Sequence, residues 1–135
     1  MFNWKFIKVS TITFILFTVF SFFWHNNLFP QIYYSNAVIL DKAAQNIWYM
    51  NFANALLVYG FVYFVFKAIK PDTKALTLCI WGVYYNISAI GFLNFLAMGL
   101  IPDWGWNIVI TDLAWAVTGG ITAGGIVYYL YRYSK

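Results

Sequence analysis

The sequence predicts an all-α polytopic membrane protein, a single bundle of four transmembrane helices with both termini in the cytoplasm. Of its 135 residues, 63% are hydrophobic and only 9% are charged, whereas soluble domains carry about 25% charged residues. Four apolar segments reach the roughly 20 residues that a helix needs to cross a bilayer. Seven of the eight lysine and arginine residues lie at one end of those segments. These three observations together define the fold class.

The chain forms one domain, residues 1–135, and its four spans are predicted at about 6–24, 48–69, 75–99 and 106–131. Lys5 and Lys8 precede the first span, as in a signal peptide, but this span ends in bulky aromatic residues without a small-residue cleavage site. That pattern favours a span that is retained over a cleaved signal. An outer loop, residues 25–47, leads to the second span, and its residues 36–46 have modest helical character.

Short turns connect the remaining spans. Pro71 is expected to end the second span, and Asp72 or Thr73 is placed to cap the third. Residues 71–74 form a short turn between the second and third spans, so these two spans are predicted to form an antiparallel hairpin. Residues 100–105, with a proline and a glycine, form a second short turn before the fourth span.

The distribution of positive charge predicts the orientation. One end of the spans carries Lys5, Lys8, Lys67, Lys70, Lys74, Arg132 and Lys135. The other end has Lys42, which is offset by Asp41 and Asp103. Under the positive-inside rule, the lysine-rich end is cytoplasmic. Tryptophans are expected to mark the outer interface, at positions 24, 48, 104 and 106. The predicted location is therefore integral, N-in and C-in, in a bacterial inner membrane.

Asp112 is the single acidic residue inside a predicted span. A carboxylate in the hydrocarbon core costs roughly 2.5–3.5 kcal/mol on insertion scales, so it usually faces the bundle interior and has a partner. Asn54 and Asn94 are predicted at the same depth, roughly 7–9 Å below the outer ends of their own helices. Asn51 and Asn86 complete the candidate polar site.

Two interpretations of this polar layer remain open. Asparagine, serine and threonine commonly join helices in membranes, so Asp112 can serve to fix the register of the bundle. The same layer can also bind a ligand, an ion or a proton. His25, at the mouth of the first span, is expected to be a polar interface residue and not a metal ligand.

Small residues give the fourth span two bare faces, on which other helices can pack closely. The contact can form within the bundle, which is favoured, or between copies of the chain. The packing residues are Ala116, Gly119, Gly120, Ala123 and Gly124.

The composition also excludes several classes of function. A single cysteine, Cys79, rules out an internal disulfide and a thiolate metal cluster. With no glutamate and one histidine, the chain has few groups for acid–base catalysis, so we expect neither an enzyme nor a metal site. No pattern identifies a cofactor, which stays unknown. The positive charges mark membrane topology and not a nucleic-acid surface.

Part of the chain resembles small bacterial four-span predicted membrane proteins of unknown function. The second span, ending in residues 62–66, and the segment 110–115, with its hydrophobic-Asp-hydrophobic-x-Trp pattern, carry the resemblance. It covers roughly the second half of the chain. Those proteins typically have an aspartate near the end of the first span and a Tyr-Asp-x-x-Asn motif in the third. This chain has Trp24-His25 and Tyr85-Asn86 there, so both carboxylates are missing.

Two functions follow as expectations. The first is a non-catalytic integral membrane protein that acts as a homo-oligomer or as a small accessory subunit of a larger membrane complex. The alternative is a small transporter or binding protein with an outward-facing polar site around Asp112. The lipid bilayer is the one partner common to both.

Overall fold

A computed structural model describes residues 4–34 and 47–133. All regular structure in these two ranges is helical. The elements, in chain order, are α1 (Trp4–Phe23), a π-helical turn (Trp24–Leu28), α2 (Pro30–Tyr34), α3 (Ile47–Ala68), α4 (Ala75–Leu100) and α5 (Trp106–Tyr133).

The four long helices α1, α3, α4 and α5 correspond to the four predicted spans and differ from them by a few residues at each end. All four are long and apolar enough to cross a bilayer. The predicted all-α bundle of four membrane-length helices is therefore confirmed. The start of the predicted outer loop differs, because the π-helical turn and α2 are helical there. The predicted helical character of residues 36–46 falls outside the described residues.

The long helices run alternately up and down. Along each interface, the residue numbers rise on one helix as they fall on its neighbour. Between α3 and α4, for example, Gly60 lies against Tyr85 and Phe64 lies against Trp81. The predicted antiparallel hairpin of α3 and α4 is thus present. However, α4 packs chiefly against α5, whereas α1 packs against both α3 and α5. Asp72 or Thr73 was predicted to cap α4, and this prediction is wrong. The N-cap residue is Lys74, and its side chain makes no capping hydrogen bond.

The α4–α5 interface has almost no side chains at its centre. An added Cβ atom at Gly120 would lie 2.6 Å from backbone atoms of Gly82 and Val83, closer than real Cβ atoms approach. A Cβ atom at Gly124 would lie 2.6 Å from the Cα atom of Cys79. Ala116 and Ala123 are buried on the same helix. The small residues of α5 therefore serve a contact within the chain.

Gly119 lies on the second small-residue face of α5, which α1 covers. Its added Cβ atom would lie 3.2 Å from the Phe17 ring. At the opposite end of α1, the Phe6 ring packs edge-on against three rings of α3, those of Tyr59, Tyr63 and Phe66. Aromatic contacts therefore join α1 to both of its neighbours.

The lysine-rich end of the bundle is fastened by the last turn of α5. Arg132 donates hydrogen bonds to the carbonyl oxygens of Pro71 and Thr73 in the α3–α4 turn. The Lys5 ammonium group lies 4.5 Å from the centre of the Tyr131 ring. The start of α1, the end of α5 and this turn thus share one end of the bundle. The membrane side on which it lies stays a prediction.

Candidate functional site

Asp112 lies in the second turn of α5, at the end of the bundle opposite the lysines. Its carboxylate is half-buried and accepts a hydrogen bond of 3.0 Å from the side-chain amide of Asn94 on α4. Asn94 is only 4% exposed. The predicted pairing of an intramembrane carboxylate with an asparagine at the same depth is therefore present. It joins the two helices that pack most closely.

The Asn94 side chain is held from three sides. Its Nδ2 group donates to Asp112 and, at 3.1 Å, to the carbonyl oxygen of Ile90 one turn earlier. Its Oδ1 atom accepts a hydrogen bond of 3.1 Å from the Trp104 indole N–H. An amide in the reversed orientation would set its NH2 group against the indole donor and its oxygen against two acceptors. These partners therefore fix the amide in one orientation.

Trp104 reaches Asn94 because of the shape of the α4–α5 turn. Asp103 in this turn has a φ angle of 67°, in the left-handed region that non-glycine residues rarely adopt. Gly105 follows, and a side chain there would collide with the Asn107 side chain. The left-handed backbone at Asp103 thus precedes the point where Trp104 folds back to Asn94 on α4.

A dense aromatic cluster packs behind Asp112 on the α1 side of α5. Trp115, one turn after Asp112, is 4% exposed. Its ring centre lies 5.0–5.8 Å from the ring centres of Phe17, Phe20, Trp24 and His25. Trp24 is 7% exposed and lies within this cluster, and its place at the outer interface stays a prediction. The cluster covers the α1-facing side of α5 one turn beyond Asp112.

His25 lies at the edge of this aromatic cluster. Its Nδ1 atom donates a hydrogen bond of 2.7 Å to the carbonyl oxygen of Ser21, four residues earlier. Because a carbonyl oxygen can only accept, this contact sets the proton on Nδ1. Across the described ranges, no group of three or more histidine, cysteine and acidic side chains is arranged to hold a metal ion.

The other predicted site residues do not join the Asp112 network. Asn54 is half-buried on α3, one turn from the buried Val58, and no hydrogen bond links it to Asp112 within the described chain. Asn51 is half-buried one turn earlier on the same helix. Asn86 is buried on the α5-facing side of α4, roughly 12 Å along the helix from Asn94. The network thus contains two of the five predicted residues.

Trp104 is the member of the network that depth and composition did not predict. It was assigned to the outer interface because tryptophan is enriched there. A usable signal was present in the sequence, since a buried asparagine needs a donor as well as acceptors. Trp104 carries the indole donor nearest in sequence to the end of α4.

A family model described as "Predicted membrane protein (DUF2177)" matches residues 6–129. The chain belongs to this family. The resemblance expected from the second half of the sequence is therefore confirmed, and it extends over nearly the whole chain. The DUF2177 match covers α3, α4 and most of α1 and α5, including both helices that carry the Asp112–Asn94 pair. No curated protein and no solved structure matches the chain.

This DUF2177 protein offers the half-buried carboxylate of Asp112 for binding, beside the buried Asn94 amide. Electrostatic attraction is stronger where water is excluded, because the effective dielectric constant is lower. One carboxylate balances one positive charge, and the fixed Asn94 amide holds it in place. The arrangement fits a monovalent cation better than an ion that needs several acidic ligands.

Proposed function

We propose that this protein is a non-catalytic integral membrane protein that binds a monovalent cation, organic or inorganic, at Asp112. The observation that supports this proposal is the Asn94–Asp112 hydrogen bond at a half-buried position near one end of the bundle. The Asp112 side chain is only half-buried, so a small ion can approach it.

The packing of the α5 glycines also favours a binding or transport function over a homo-oligomer or accessory subunit. Gly120 and Gly124 are occupied by α4 within the chain. The surface that would have joined copies of the protein is therefore used internally. This shifts the balance towards the binding or transport function, with Asp112 as its central residue.

The proposed site can be tested by measuring cation binding to the purified protein in lipid nanodiscs. Sodium, potassium and tetramethylammonium chlorides are titrated at constant ionic strength, balanced with Tris chloride, while tryptophan fluorescence is recorded. We expect a saturable change for at least one of the three. Since a hydrogen bond or contact with a charged group contributes about 1.5–3 kcal/mol, Asp112→Asn should weaken the apparent affinity about tenfold to a hundredfold.

Asp103→Asn is the matched control. It removes the same charge at the same end of the bundle, and asparagine tolerates the left-handed backbone of position 103. Binding should survive in this variant. Equal affinity in the wild-type protein and Asp112→Asn, or the absence of saturation with all three cations, would contradict the proposal.

An oligomer or accessory subunit is the second candidate function, and Gly125 favours it. An added Cβ atom at Gly125 meets no atom within 4 Å, so this part of α5 presents a bare backbone away from the chain's own helices. A partner helix can pack closely on such a surface. Native mass spectrometry after gentle extraction would reveal copies of the chain or foreign subunits, and Gly125→Leu should then dissociate them.

The proposed setting is a bacterial inner membrane with both termini in the cytoplasm. The lysine-rich end of the bundle supports this orientation through the positive-inside rule. The Asp112 site would then open to the outside of the cell.

A further inference from the structure

The buried face of α1 carries hydrogen-bonding groups that no protein group satisfies. The side-chain oxygen atoms of Ser10, Thr13 and Thr18 and the indole nitrogen of Trp24 are shielded from solvent, and none has a hydrogen-bond partner in the described chain. Ser10 and Thr13 are completely buried. Buried polar groups are almost always hydrogen-bonded in folded proteins. Four such exceptions, three on α1 and one in the π-helical turn that continues it, require an explanation.

Other hydroxyl groups in the same bundle are satisfied. Thr111, Thr118 and Thr122 on α5 each donate to a carbonyl oxygen four residues earlier, at 2.7–3.0 Å. This bond is available to any serine or threonine in a helix. The α1 groups do not make it, so their side chains point away from their own backbone and into the helix interfaces.

The unsatisfied groups lie along one face of α1 and of the π-helical turn that continues it, and we call this face the stripe. At about 100° per residue, Ser10, Thr13, Thr18 and Trp24 fall within an arc of about 140° of the helix, which the buried Phe17 shares. From Ser10 to Trp24 the stripe extends roughly 21 Å, most of the thickness of a bilayer core of about 30 Å. Polar groups that recur over this length can line a hydrophilic path.

We infer that this face of α1 lines a path for water and small hydrophilic solutes, and that the structure represents its closed state. In the closed state the hydroxyl groups are shielded from water and lack partners. When α1 separates from α3 and α5, water enters and satisfies them. A group that gains a hydrogen bond to water no longer carries the penalty of burial without a partner. Each such group therefore shifts the equilibrium between the closed and hydrated states about tenfold towards the hydrated state.

The packing identifies α1 as the helix that can move. Its contacts with α3 and α5 are mainly between aromatic rings, together with one hydrogen bond of 3.0 Å between the hydroxyl groups of Thr11 and Tyr59. In contrast, α4 and α5 meet backbone to backbone at Gly82 and Gly120. Side-chain contacts can separate and re-form, whereas a backbone contact of this kind fixes its two helices. The inference is independent of cation binding at Asp112.

Cysteine accessibility tests the inference in membrane vesicles. In a Cys79→Ala background, Ser10→Cys and Thr18→Cys are exposed to the hydrophilic reagent 2-aminoethyl methanethiosulfonate, which reacts with thiols that contact water. The control is Val9→Cys, at an apolar position of α1 that is as fully buried as Ser10. We expect the two stripe positions to react at least about tenfold faster than the control. Equal rates would overturn the inference. Hydrogen bonds from the α1 hydroxyl groups to carbonyl oxygens of their own helix would overturn it as well.

A second variant tests whether the unsatisfied groups favour the open state. Thr13→Val keeps the shape of the side chain and removes the hydroxyl group, so the closed state no longer carries its penalty. We expect the Ser10→Cys reaction to slow about tenfold and the melting temperature of Thr13→Val itself to rise. Thr122→Val, which removes a satisfied hydroxyl group, should produce neither effect. If Thr13→Val leaves the melting temperature unchanged or lowers it, the inference fails even where the cysteine variants do not fold.

Discussion

The contact between Gly120 and Gly82 makes a sharp prediction for Gly120→Ala. The added Cβ atom would lie 2.6 Å from backbone atoms of α4, whereas ordinary contacts begin at 3.4 Å. Because backbone atoms cannot turn aside, α4 and α5 must separate by about the difference, 0.8 Å. If the helices move as rigid bodies, the Asn94–Asp112 distance of 3.0 Å grows to about 3.8 Å, beyond hydrogen-bond range.

The expected cost has two parts. Overpacking an interface costs about 1–3 kcal/mol, and the lost interhelical hydrogen bond costs about 0.6–1.7 kcal/mol. The better helix propensity of alanine returns up to about 1 kcal/mol. We therefore expect Gly120→Ala to lower the free energy of unfolding by about 1–4 kcal/mol and to weaken cation binding at Asp112.

Gly125→Ala is the control, because its Cβ atom meets nothing within 4 Å. It should leave the stability unchanged or raise it by up to about 1 kcal/mol through helix propensity. The assay is reversible unfolding in mixed micelles with increasing sodium dodecyl sulfate, followed by tryptophan fluorescence. If the two alanine variants unfold at the same detergent fraction, the backbone contact between α4 and α5 is not as close as the structure has it.

Three further predictions concern the site, the α1–α3 contact and the orientation. Asn94→Leu removes the hydrogen bonds to Asp112 and Trp104. Because one of these bonds involves a carboxylate, the free energy of unfolding in the same assay should fall by about 2–4 kcal/mol. A decrease smaller than that of Tyr59→Phe would refute the network. Tyr59→Phe removes one hydrogen bond to Thr11 and should cost about 0.6–1.7 kcal/mol, and no measurable loss would refute this link. A green fluorescent protein fused to the C-terminus should fluoresce and an alkaline phosphatase fused there should be inactive, while the reverse would place the lysine-rich end outside.

The sequence was sufficient to predict the fold class, the spans and the Asp112–Asn94 pair. The length of each apolar segment sets how far along a helix a residue lies, so residues at equal depth can be identified by counting. Asn94 also shares a helical face with Gly82 and Asn86, and all three residues are buried. Depth and face together were enough for this pair.

Counting residues could not predict which neighbour each helix would face. Asn54 has the right depth, but α3 packs mainly against α1, so its half-buried side chain does not reach Asp112. Trp104 was missed for a related reason: its position depends on the left-handed backbone at Asp103, a property of one turn. The packing of Trp24 against Trp115 was likewise not predicted, because residue type indicates the depth of a tryptophan and not its neighbours.

The closeness of α4 and α5 also bears on the order in which the protein assembles. A turn of only five residues, 101–105, connects these two helices, so bringing them together costs little loop-closure entropy. Their glycines allow extensive contact without the need to order any side chain. We expect this pair to form an early nucleus in the bilayer, on which α1 and α3 dock later with slower repacking of their rings. Substitutions at Gly82 or Gly120 should then slow folding, whereas those at the α1 ring contacts should mainly speed unfolding.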